Sequence, residues 1–61
     1  MLKCYYNPDK QINTESLSEL YEEKEWCCAF KAKLICEKKS VPFELEQHIN
    51  VVDRYIQENK H

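Results

Sequence analysis

A chain of 61 residues with a formal charge of −2 forms one domain and leaves no room for separate cofactor and substrate halves. Such a chain buries only about 60% of its unfolded surface, so its own core is marginal. It has no glycine, which excludes phosphate-cradling and dinucleotide-binding loops and argues against small barrels built on Asn-Gly turns.

The first 13 residues read as an N-terminal arm. Leu2, Cys4 and Tyr6 alternate with Lys3 and Tyr5, a strand-like pattern, and Asn7-Pro8-Asp9 ends it with a turn signal. A lone strand has no partner in the chain, so the arm is expected to pack in extended form on helices or to pair across a dimer. The start lacks the apolar core and small-residue site of a secretory signal, and no apolar run spans a membrane. A cytoplasmic protein with reduced thiols is the expectation.

Residues 14–61 read as a helical hairpin. The first helix is predicted from Thr14 or Ser16 to Lys39, with Ser16 and Glu19 as a capping box. Leu20/Tyr21, Cys27/Cys28 and Leu34/Ile35 repeat every seven residues, and Lys24 and Lys31 interrupt the stripe. Glu15, Glu19, Glu22, Glu23 and Glu25 crowd its start and Lys31, Lys33, Lys38 and Lys39 its end, which complements the helix dipole. The second helix is predicted over about Val41 to Asn59, capped by Ser40, with Pro42 in its first turn. Leu45, Ile49, Val52 and Ile56 form one apolar stripe. The short link makes the helices antiparallel. The fold class is all-α: an antiparallel hairpin with a short extended arm. Two helices leave one side of each stripe uncovered, so assembly of a homodimer as a four-helix bundle is expected.

Chemistry-bearing residues are sparse. Cys4, Cys27, Cys28, Cys36, His48 and His61 could ligate metal, but no C-x₂₋₄-C or H-x₃₋₅-H pair occurs, and Cys27 and Cys28 read as core. No metal, cofactor or catalytic residue is assigned. His48 follows Glu44 by one turn, an ordinary surface pair, and no nucleophile–base–orienter set is visible. In size and layout the chain is similar to the small helical-hairpin phosphatases that act on sporulation response regulators. Their Ser-Gln-Glu-Leu-Asp signature falls here on Glu46-Gln47-His48-Ile49-Asn50, without the serine or the aspartate, and membership is not inferred.

Trp26 and Phe30 carry the functional signal. They lie nearly opposite the apolar stripe of the first helix, among Glu19, Glu22, Glu23, Lys33 and Glu37. Either the arm folds back over them through Leu2, Tyr5 and Tyr6, or they anchor a partner. The expected partner-binding set is Trp26, Phe30, Tyr5, Tyr6, Glu22 and Lys33. The expected function is a non-enzymatic interaction module that modulates or inhibits a cellular protein. A composition rich in Lys, Glu, Ile, Asn and Tyr suits a low-GC bacterium or phage. Two alternatives are a small dimeric nucleic-acid-binding regulator and a redox-sensing hairpin using Cys27, Cys28 or Cys36. Net acidity weighs against the first, since phosphate binding needs a basic face.

Overall fold

The computed structural model describes residues 2–60. Its elements are β1 (Leu2–Lys3), β2 (Gln11–Ile12), α1 (Leu17–Cys36) and α2 (Phe43–Asn59). Two helices packed against each other form the hairpin expected from the sequence. Met1 and His61, named above in the arm and among possible ligands, lie outside the described residues.

The arm is not a lone strand. β1 pairs antiparallel with β2, Leu2 opposite Ile12 and Lys3 opposite Gln11. The Cys4 N–H extends the ladder by donating to the Lys10 carbonyl at 3.0 Å. Asn7-Pro8-Asp9-Lys10 closes the turn, with the Lys10 N–H donating to the Asn7 carbonyl at 3.0 Å. Asparagine first and proline second suit such a turn, because proline presets the backbone angle its position needs. The single apolar residue of the returning strand, Ile12, is buried and anchors the pairing.

α1 begins where the capping box places it. The Ser16 hydroxyl accepts from the Glu19 N–H at 3.4 Å, so Ser16 rather than Thr14 is the cap. The helix ends at Cys36, three residues before the expected Lys39. The Lys38 N–H donates to the Ile35 carbonyl at 3.0 Å and the Lys39 N–H to the Leu34 carbonyl at 2.8 Å. That is a Schellman closure, and it puts Lys38 in the left-handed region with φ 59°. In a chain without glycine a side chain must take this position.

α2 is capped by Pro42, not by Ser40. A cap at Ser40 would need residue 41 to be helical, but the proline that follows holds it extended, and Pro42 at the second helical position has no N–H to donate. The Pro42 carbonyl instead receives Leu45 N–H at 3.1 Å and Glu46 N–H at 3.4 Å.

Only one member of each heptad pair in α1 turns inward. Leu20 and Cys27 are buried and Leu34 half-buried, whereas Tyr21, Cys28 and Ile35 are exposed. Cys28 is therefore not a core residue as expected. Adjacent side chains on a helix diverge by about 100°, and a seam against one helix has room for one of them. Lys24 and Lys31 flank that seam. Lys24 meets Asp53 at 2.7 Å and Lys31 meets Glu46 at 3.2 Å, which pins the antiparallel register at two places. Both pairs are part-exposed and solvent-screened, so they set register more than they add stability.

Leu45, Val52 and Ile56 of α2 are buried as the stripe requires, with Ile49 half-buried. Cys4, Ile12, Leu20, Val52 and Ile56 form the core cluster, with Leu2, Leu17 and Tyr55 packed on it. The β-hairpin thus lies over the helix stripes that an uncovered two-helix unit would expose, within one chain. The Asn59 side chain ties the far end of α2 to the loop before α1 by donating to the Thr14 carbonyl at 2.7 Å.

Candidate functional site

The returning arm carries Tyr5 and Tyr6 onto α1. The Tyr6 ring lies 4.2 Å from that of Trp26, and Trp26 meets Phe30 edge-on at 5.3 Å. Tyr5 lies 6.4 Å from Phe30 and, on its other side, 5.6 Å from His48 of α2. Four of the six expected partner-binding residues, Tyr5, Tyr6, Trp26 and Phe30, are therefore one cluster. Spacings of this kind contribute about 0.5–1.5 kcal/mol per pair beyond their buried area.

The arm covers this cluster only in part. Trp26 remains 38% exposed and Tyr6 45% exposed. Beside Trp26 and Phe30 a groove of about 630 Å³ runs along the last turns of α1, lined also by Ala29, Lys33, Leu34, Glu37 and Lys39. Lys33, a fifth expected residue, stands on this groove. Lys39 pairs with Glu37 at 3.1 Å. Glu22, the sixth, is not on the groove; it lines a shallow hollow with Tyr6, Lys10, Glu19 and Ile12. Glu22 lies one helical turn before Trp26, and the hollow it lines is walled by the arm itself.

A feature the sequence did not disclose lies beneath the arm. Glu23, expected among the charges around Trp26, is only 3% exposed. Its Oε1 accepts from the Cys4 thiol at 2.9 Å. Its Oε2 accepts from the Tyr5 N–H at 3.0 Å and the Cys27 thiol at 3.4 Å, and lies 2.9 Å from His48 Nε2. Burial, the strongest single influence, pushes the Glu23 carboxyl up; the donors from Cys4, Tyr5, His48 and Cys27 together outweigh it and hold it below its ordinary value. Burial and the nearby Glu23 charge push the Cys27 thiol up to about 12, and burial followed by the Glu23 hydrogen bond raises Cys4. A buried, protonated thiol is a poor nucleophile. The signal that could have found the site is Glu23 and Cys27 four apart on one helix face, with an arm cysteine and a stripe-flanking histidine free to meet them.

No family model, curated protein or solved structure matches this chain. No helix among the described residues is long and apolar enough to cross a membrane.

Proposed function

We propose that this protein is a small non-enzymatic interaction module, of bacterial or phage type, that modulates a cellular protein by binding it through Trp26, Phe30, Tyr6 and the groove beside them. The observation that carries this reading is the part-exposed Trp26, tilted against Tyr6 and opening onto a groove with Leu34 and Ala29 in its lining and Lys33 beside them. Trp and Tyr dominate binding hot spots, and rings already held against one another lose little freedom on binding. The chemistry of the groove selects a partner segment with a bulky apolar side chain beside a carboxylate, the first for the groove and the second for Lys33.

Tagged wild-type protein and a Trp26→Ala, Phe30→Ala double variant, shown folded by circular dichroism, are compared for capture from cells of the source organism. The captured partner should bind the variant at least about 30-fold more weakly, the equivalent of a hot spot worth about 2 kcal/mol. Equal capture defeats the proposal. Sedimentation and a salt titration on heparin run alongside. A dimer lost in the double variant makes a second copy the occupant of this surface, and steep salt-dependent retention makes it a nucleic acid.

A further inference from the structure

The buried cluster under the arm has the donor set of a metal centre. One ligand atom each of Glu23, Cys27 and His48 lie within 4.8 Å of one another, and Cys4, outside that group of three, places its Sγ 2.9 Å from the second oxygen of Glu23. These four come from three separate segments, the residue following β1, helix α1 and helix α2, and each carries an atom that binds divalent ions. Three of them, Cys4, Glu23 and Cys27, are buried, and His48 is half-buried.

Core packing alone does not call for this arrangement. A buried carboxylate costs several kcal/mol to desolvate, and hydrophobic residues of similar volume fill a core as well or better. Among the described residues no lysine or arginine meets Glu23; its partners are two thiols, which are weak donors, one backbone N–H and one imidazole. A short chain without a disulfide also gains from a staple, and its four cysteines are all free.

We propose that Cys27, His48 and Glu23, with Cys4 as the fourth donor, form a tetrahedral binding site for a thiophilic divalent ion, which by its mixed sulfur, nitrogen and oxygen ligands is Zn²⁺. Thiolate and imidazole together select zinc over magnesium or calcium, which take oxygen ligands. On binding, the S–H bonds of Cys4 and Cys27 break, two S–Zn bonds form, and two protons pass to solvent. His48 coordinates through the Nε2 lone pair and Glu23 through one oxygen. The burial and negative charge that keep the thiols protonated are offset by the charge of the ion itself. The Tyr5 N–H steadies the carboxylate from outside, as hydrogen bonds behind metal ligands do. An ion here ties the arm to both helices and holds Tyr5 and Tyr6 against Phe30 and Trp26.

The test is titration of the full-length reduced protein, stripped with chelator, by Co²⁺ and Zn²⁺. Co²⁺ should bind one per chain, with a thiolate charge-transfer band and the intense visible bands of a tetrahedral ion, both erased by Zn²⁺. Excess Zn²⁺ should raise the melting temperature by about 10 °C or more. A Cys28→Ser, Cys36→Ser variant should keep both effects, since these exposed thiols lie outside the cluster. Cys27→Ala should abolish the charge-transfer band or halve it, and His48→Gln should weaken binding by about 100-fold or more, beyond the loss of an outer hydrogen bond. Should Cys27→Ala fail to fold, His48→Gln and a Co²⁺-shifted imidazole resonance in the wild type decide. The proposal is overturned by a wild-type protein with no charge-transfer band, by loss of the band in the Cys28, Cys36 variant, or by unchanged affinity in His48→Gln.

Discussion

Replacing Glu23 by glutamine removes one charge while keeping the size of a side chain that sits at the junction of the arm and both helices. In the native protein the carboxylate faces donors from Cys4, Tyr5, Cys27 and His48. Glutamine offers one acceptor oxygen and turns an NH₂ toward some of these donors. Hydrogen bonds to a charged group contribute about 1.5–3 kcal/mol each, and a mispaired buried donor costs about 1–3 kcal/mol. With partial repair by rotation of the thiols, the metal-free variant should be less stable than wild type by about 2–3 kcal/mol at pH 7. In a domain of this size that lowers the melting temperature by about 10–20 °C.

The sign of the pH dependence follows from the direction of the shift. The folded-state carboxyl titrates below its ordinary value of 4.5, so its contribution is complete above that pH and is lost as the pH falls through the folded value. Wild type and Glu23→Gln should therefore converge in acid. Urea unfolding in the presence of chelator from pH 7 down to pH 2.5 measures this. A gap that stays constant over that range, or one under about 0.5 kcal/mol at pH 7, refutes the account of Glu23 as an ionised, hydrogen-bonded hub.

Lys38→Gly relieves a left-handed backbone and should stabilise the protein by about 0.5–1 kcal/mol; a loss of stability in thermal denaturation would contradict the Schellman closure. With metal removed, a thiol reagent at neutral pH should modify Cys28 and Cys36 quickly and Cys4 and Cys27 only as the protein opens, so mass spectrometry should find two fast sites. Since the Cys27 thiol is raised to about 12 from 9.0, its contribution is complete below pH 9 and is lost as the pH climbs toward 12; metal-free protein whose stability is unchanged across that interval would contradict its burial beside Glu23. Tyr6→Ala should red-shift the fluorescence of Trp26, the single tryptophan; an unshifted spectrum would mean the arm does not cover it there.

Local chemistry determined much of this protein without any tertiary information. Ser16 with Glu19 marks the start of α1, and the four-three-four spacing of Leu45, Ile49, Val52 and Ile56 defines the face of α2 that packs inward. The short link folds the two helices back on each other, and the surplus aromatics Trp26 and Phe30 single out the surface that carries the proposed function. All of these depend on neighbours within two turns, which the order of residues specifies directly.

The tertiary structure decided what neighbours cannot. Leu20 and Tyr21 are equally apolar candidates for the seam, as are Cys27 and Cys28, and only the position of α2 selects the first of each pair. β1 finds its partner eight residues beyond its end, through Ile12, a strand too short to announce itself by alternation. Glu23 was the least legible residue. An acid early in a helix is favoured by the dipole whether it faces water or not, so its charge explains itself on the surface. It turns inward because the arm brings the Cys4 thiol and the Tyr5 N–H from one side and α2 brings His48 from the other. Three segments far apart in the chain supply donors that none of them predicts alone, and their meeting point is where the buried charge becomes affordable.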